Sequence, residues 1–287
     1  TQPTEPFLIA PEPGIAIDYA TLRANCIAFA GLLRGQGISP GATVSFMLEN
    51  GLSAATVFLG AMYGGFVVSP INLLAQDAQL EYTLTHSEAR LVFATAANRE
   101  RLEAIQRRTG ATFEIRIVDV DGIEMPAATP QRLELVGAGD PAMLMYTSGT
   151  TGTPKGALLS HANMLAAGRA VARSLELDAS DRVLSSLPLY HINGQCIATV
   201  APLVSGGSIV MPHRFSVSQW WPLVAQQRPT WLNMVPTIIA YLLNGPATTP
   251  EQAAACAHVR FGRSASAPLP PEQHRAFEQR FGISVVE

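Results

Sequence analysis

Apolar positions along the chain fall into short blocks whose period switches repeatedly between helix and strand. Leu22, Cys26, Phe29 and Leu33 recur at three- and four-residue spacing, which predicts a helix over residues 21–33, stopped by Gly35 or Gly37. Further helical patterns cover residues 50–63, 77–86 and 98–108, separated by strand-like runs at 44–48, 66–69, 90–94 and 115–118. Residues 121–139 break this rhythm. They are rich in Pro, Ala and Gly without either period, which suits a linker. Beyond them, strands are predicted at 142–146, 156–159, 182–185, 208–211, 230–234, 259–262 and 283–286. Helices are predicted at 161–175, 193–204, 217–227, 236–243 and 271–281. Alternation of this kind predicts an α/β fold with mainly parallel sheets and right-handed crossovers. The expected organisation is a first α/β subdomain at 1–120, a linker at 121–139 and a second α/β subdomain at 140–287.

Composition supports buried sheets. Apolar residues make up 48% of the 287 and charged residues 14%, so strands covered by helices on both faces are favoured over one-sided antiparallel sheet. The formal net charge of −3 provides no field for nucleic acid or an anionic membrane. Arg99, Arg101, Arg107 and Arg108 are interleaved with Glu100 and Glu103 and read as a solvated helix face. Cys26, Cys196 and Cys256 are far apart and odd in number, which predicts neither a disulfide framework nor a metal site and fits a reducing, cytoplasmic setting. Residues 1–13 are polar and Pro-rich and do not form a secretory signal. The apolar run 196–211 is interrupted by Pro202, Gly206 and Gly207, so no transmembrane segment is expected.

The densest chemical signal is Tyr146-Thr147-Ser148-Gly149-Thr150-Thr151-Gly152-Thr153-Pro154-Lys155-Gly156. It follows the apolar run 142–145, and loops at the carboxyl ends of parallel strands are where α/β sheets place ligands. Gly149 and Gly152 free the backbone so that successive N–H groups can converge on an anion. Thr147, Ser148, Thr150, Thr151 and Thr153 add hydroxyl donors, and Lys155 adds a mobile positive charge suited to a phosphate or a pyrophosphate leaving group. An ordinary P-loop needs Gly before its lysine and Ser or Thr after it. Here Pro154 and Gly156 occupy those places.

Residues 146–156 resemble the phosphate-binding signature of the adenylate-forming superfamily, which includes acyl-CoA synthetases, peptide-synthetase adenylation domains and luciferases. The resemblance covers essentially the whole chain in element order, and residues 156–163 are similar to the strand and helix start that follow the signature. Ser160 reads independently as a helix N-cap, with His161 and Asn163 structural. The resemblance implies the N-terminal part of the adenylate-forming fold, two mainly parallel sheets flanked by helices. It also implies ATP-dependent activation of a carboxylic acid to an acyl-adenylate and transfer to coenzyme A, with ATP and Mg2+ as the other requirements.

Three more segments carry the resemblance. Residues 187–194, Leu-Pro-Leu-Tyr-His-Ile-Asn-Gly, are similar to a stretch bordering the acyl pocket, which implies that His191 orients substrate or nucleotide and that Ile192 lines the pocket. Residues 231–237 match a strand-to-helix junction used as a pocket wall. Val235 and Thr237 are pocket candidates there, with core packing an equal reading. Residues 261–269 resemble a small-residue segment lining adenine and acyl group, implicating Ser264, Ala265, Ser266 and Ala267. Its usual leading glycine is replaced by Ser264 or Ser266. Small side chains there let a flat ring approach the backbone.

Apolar neighbours such as Ile192 and Val235 favour an aliphatic or aromatic acyl group. No metal ligand is expected within the chain. The threonine–glutamate motif, the ribose-binding aspartate and the C-terminal domain with its lysine, all implied by the resemblance, would follow Glu287. The expected reading is therefore a fragment, inactive alone and prone to dimerise through a bare sheet edge. An amino-acid adenylation domain and a P-loop-type kinase or NTPase remain the alternative readings.

Overall fold

The computed structural model describes residues 3–124, 136–147 and 154–287. Its strands in chain order are β1 (Pro6–Ala10), β2 (Ile15–Asp18), β3 (Thr43–Met47), β4 (Val67–Pro70), β5 (Leu91–Ala94), β6 (Glu114–Ile117) and β7 (Pro141–Thr147). They continue with β8 (Lys155–Ser160), β9 (Arg182–Leu184), β10 (Ser208–Val210), β11 (Trp231–Met234), β12 (Phe261–Ser264) and β13 (Val285–Val286). Two sheets result. One has the order β6-β5-β3-β4-β7-β8, the other β13-β12-β11-β9-β10-β1-β2. Every pairing is parallel except β7–β8 and β1–β2, each at a sheet margin.

The chain divides into two compact units, one of residues 19–166 and one of residues 1–18 with 167–287. These do not coincide with the expected spans 1–120 and 140–287. The first strand explains the difference at the amino terminus: β1 pairs in parallel with β10, Leu8 opposite Ile209, which carries residues 1–18 into the sheet of the later unit. The hairpin β1–β2 escapes periodicity analysis because Pro6, Pro11 and Pro13 surround the four buried residues Phe7, Leu8, Ile9 and Ala10.

In the unit 19–166, the helix Leu52–Tyr63 is buried on every side from Leu52 to Met62, as a helix that is apolar all round must be. Its amino end is capped from afar. The Leu52 N–H donates to Asp121 Oδ1 at 2.8 Å, Ser53 N–H to Val120 O at 2.9 Å, and Ser53 Oγ–H to Asp119 O at 2.6 Å. A Cβ at Gly51 would lie 2.7 Å from Asp121 Oδ1, so only glycine admits this approach. The start of the expected linker is thus fastened to a helix N-terminus, where a carboxylate is favoured. Residues 125–135 of it lie outside the described residues.

The other unit is built on Trp220, Trp221, Ile239, Phe277 and Phe281, which pack against β9 and β11 through Leu184 and Leu232. A helix at Pro250–Cys256, absent from the sequence reading, is set by a reciprocal cap: Gln252 N–H donates to Thr249 Oγ1 and Thr249 N–H to Gln252 Oε1. The predicted helix at 193–204 is a π-helix over Asn193–Val200 followed by an α-helix over Ala201–Ser205. Among the described residues no helix is long and apolar enough to cross a membrane.

Candidate functional site

The phosphate-loop signature joins β7 to β8. Thr147 stands opposite Lys155, and Tyr146 opposite Gly156, in an antiparallel hairpin. Ser148, Gly149, Thr150, Thr151, Gly152 and Thr153 lie outside the described residues. The hairpin fixes both ends of that connection side by side, with Lys155 exposed. This topology separates the loop from an ordinary P-loop, in which the glycine-rich turn runs from a strand directly into a helix.

Sequence reasoning missed the support beneath the hairpin. Tyr146 Oη lies 2.7 Å from His86 Nδ1, and the Tyr82 ring stacks on His86 at 5.2 Å. A Cβ at Gly156 would come within 3.4 Å of the Tyr146 ring. Burial and the neighbouring Tyr82 push the Tyr146 phenol up to about 12, so it remains a hydrogen-bonding hydroxyl at neutral pH. At the far end of β8, Asn163 N–H donates to Ser160 Oγ at 3.2 Å and Ser160 N–H to Asn163 Oδ1 at 3.0 Å. Ser160 and Asn163 therefore form a helix cap, as expected. The backbone N–H of His161 donates to Asp140 O, and burial lowers its imidazole pKa.

The remaining candidates sit in the other unit, at the carboxyl ends of β9, β11 and β12. His191 closes the turn 188–191 by donating its N–H to Pro188 O at 3.0 Å. Its ring lies against Tyr190 at 4.7 Å and stays open to solvent, yet surrounding protein atoms lower its pKa from the ordinary 6.5. The ring is neutral at pH 7 and able to orient a ligand through either nitrogen. Ile192 is exposed beside it. The next residue, Asn193, is buried, and Gly194 lets the turn close: a Cβ there would lie 2.4 Å from Pro188 O.

Asn193 is the residue that draws three predicted segments together. Its Nδ2 donates to Ser266 Oγ at 3.2 Å, and its Oδ1 accepts from Asn233 Nδ2 at 3.0 Å. Asn233 also donates to Ser185 Oγ at 3.2 Å. This network joins residues 191–193, the β11 end that precedes Val235, and residues 264–267. Val235 is half-buried against the core, and Thr237 is exposed in the first turn of the helix Pro236–Leu243.

Within the last segment the four residues diverge. Ser264 is fully buried and in register with Met234, which turns its hydroxyl to the helix-covered core face. Ala265 N–H donates to Met234 O, whereas Ser266 and Ala267 are exposed. Ser266 has φ 74, the left-handed region that side chains avoid. Strain of this kind concentrates at ligand sites. Asn193 and Asn233 fall within the segments 187–194 and 231–237 without being singled out there, and Ser185 lies outside any motif. Their signal was only that of polar residues at strand ends predicted to be buried.

A model of the AMP-binding enzyme family matches residues 1–287. A sulfoacetate–CoA ligase of Cupriavidus necator is 47% identical over 99% of this chain and 56% of its own length. The medium/long-chain-fatty-acid–CoA ligase FadD6 of Mycobacterium tuberculosis is 30% identical over 94% of this chain and 45% of its own. Among solved structures, ATP-bound MatB from Rhodopseudomonas palustris superposes with a TM-score of 0.85 at 29% identity, covering 99% of this chain and 56% of that one. The chain spans about half the length of the curated relatives it matches. Fold, hairpin loop and full-length match lead to one assignment: the chain belongs to the AMP-binding enzyme family.

Proposed function

We propose that this chain belongs to an AMP-forming acid–thiol ligase that activates a carboxylic acid with ATP and passes the acyl group to coenzyme A. The observation that carries this reading is the hairpin loop, with Thr147 opposite Lys155 at its two ends, in a chain matched along its whole length by the AMP-binding family. The names of the relatives include sulfoacetate and fatty acids, so what they share is the carboxylate.

A carboxylate is already nucleophilic at neutral pH. The protein's task is to hold it in line with the α-phosphate of ATP and to stabilise charge on the departing pyrophosphate. Backbone N–H groups and hydroxyls of residues 147–153, with Lys155, would bind the phosphates and meet the leaving group. His191 and Ile192, with Val235 and Thr237, would border the acid, and Ala265, Ser266 and Ala267 the adenine. Ser264, turned into the core, would act only by shaping that segment. In the second half-reaction the thiol of coenzyme A displaces AMP. Among the described residues no group of three or more His, Cys, Asp or Glu is assembled for a metal. Mg2+ would be held chiefly by ATP's own phosphates and water, with one or two carboxylates of the protein.

The test is pyrophosphate exchange into ATP, dependent on an added carboxylic acid, in the enzyme extended to the length of its relatives. Exchange with AMP as the nucleotide product is expected. Formation of ADP and phosphate would overturn the reading. Lys155→Ala is expected to slow adenylation roughly tenfold to a hundredfold while ATP binding changes less.

A further inference from the structure

Arg263 lies on β12 in register with Asn233 on β11 and Val286 on β13, and Asn233 in turn donates to Ser185 after β9. Residues paired in register across parallel strands share a face, so Ser185, Asn233 and Arg263 form one polar row at the carboxyl ends of three strands. This is the face that Asn193 covers and joins to Ser266.

One nitrogen of the guanidinium in that row has no partner among the described residues. Its Nη1 is fully buried and makes no hydrogen bond, and among the described residues Arg263 forms no ion pair. Burial lowers its pKa. Asn233 Oδ1, beside it, is likewise buried without a donor. Glu287, one residue past Val286, is engaged elsewhere, accepting from Leu269 N–H at 2.9 Å.

Arg34 Nε and Arg116 Nη1 are also buried without partners, so what sets Arg263 apart is its place in a polar row at the strand ends. Arg182, on β9 of the same sheet, is also half-buried with a lowered pKa, but donates from Nε to Ser208 Oγ and from Nη1 to Gln227 O. Arg116 Nη1 lacks a partner too, but its register neighbour is Phe93, not a polar group.

A buried guanidinium nitrogen without a partner is costly unless an acceptor completes it, and an anion is the strongest acceptor for it. The guanidinium's planar fork of donors fits the paired oxygens of a carboxylate or sulfonate. We propose that Arg263 is a specificity-determining residue that reads a second anionic group on the acid, so that the substrate is a carboxylic acid bearing a carboxylate or sulfonate at its far end. This rests on the acid-activating function proposed above. It also separates the chain from an amino-acid adenylation domain, whose substrate amine calls for a carboxylate rather than a cation in the pocket.

The experiment compares kcat/KM for pyrophosphate exchange in the full-length enzyme with acids matched in length: succinate against butyrate, and sulfoacetate against propionate. The expected preference for the anionic member is at least about tenfold, and the better of the two pairs identifies carboxylate or sulfonate as the distal group. Arg263→Met is expected to lower use of the anionic member about thirtyfold or more while changing the neutral-ended member less than about threefold. Arg263→Lys should recover part of the preference, and it carries the comparison if Arg263→Met fails to fold. Equal use of both members by the wild type, or a parallel loss on both in Arg263→Met and Arg263→Lys, overturns the proposal. Exchange confined to neutral-ended acids sinks this inference and leaves the reaction class standing. Absence of exchange with every acid sinks the reaction class itself.

Discussion

The two ends of one sheet are chemically unlike. Before β9, β11 and β12, at their amino ends, Asp181, Thr230 and Arg260 satisfy one another. Asp181 Oδ1 accepts from Thr230 Oγ1 and from Arg260 Nη1, each at 2.6 Å, and Oδ2 accepts from Asp178 N–H at 3.0 Å. Arg182 completes this end by donating to Ser208 and Gln227. At the carboxyl ends of the same strands, Ser185, Asn233, Asn193 and Ser266 form a chain of hydrogen bonds that leaves Asn233 Oδ1 and Arg263 Nη1 open. A closed network needs nothing further and holds the fold. An open one in a buried position retains capacity for a ligand.

The largest effects that test this contrast come from two glycines, one at each end. A Cβ at Gly207 would lie 2.6 Å from Asp181 O, and at Gly194 2.4 Å from Pro188 O. Both obstacles are backbone atoms that no rotamer change relieves. Gly207→Ala and Gly194→Ala are each expected to cost about 2–3 kcal/mol in denaturant unfolding. Only Gly194→Ala should also lower exchange activity per folded molecule, because it displaces His191 and Asn193. Equal activity losses in the two variants would erase the distinction between the ends.

A smaller effect is a pH dependence of stability. The folded state lowers the pKa of His191 and of His161 below 6.5. Between each lowered pKa and 6.5 the unfolded chain binds more protons than the folded one, so stability rises with pH across that window and is lost on acidification through it. Unfolding free energies measured from pH 7.5 to 5, about the ordinary imidazole value, should show this slope. His191→Gln and His161→Gln should each flatten it, and an unchanged slope in both variants would refute the assignment.

The smallest expected effect is at Ser266. Glycine relieves its φ of 74 but forfeits the acceptor for Asn193, so Ser266→Gly should alter stability by no more than about 1 kcal/mol. A larger loss would mean that the hydroxyl outweighs the strain.

Much of this architecture was legible in the residues. The helices Asp77–His86, Val217–Gln227, Pro236–Leu243 and Pro271–Phe281 occupy the ranges that periodicity predicts, with proline starts at Pro236 and Pro271 and a glycine stop at Gly282 sharpening the last two. The hairpin β1–β2 was hidden by prolines, and the antiparallel turn of β7 into β8 by the assumption that successive strands run parallel. The connection between β7 and β8 stood out by composition and spacing. The polar row did not. Arg182 and Arg263 look alike in the sequence, and only the register of β9, β11 and β12 reveals that one is saturated and the other open.

The central claim, that the closed end is scaffold and the open end is site, is tested most directly by measuring stability and acid-dependent pyrophosphate exchange together on Asp181→Ala and Asn233→Ala. Asp181 is 3% exposed, but Arg260 reaches solvent, which discounts the pair, so Asp181→Ala should cost about 2–3 kcal/mol while activity per folded molecule stays within about twofold. Asn233→Ala should cost about 1 kcal/mol yet lower kcat/KM at least about tenfold. Activity that simply tracks stability in both variants would contradict the account.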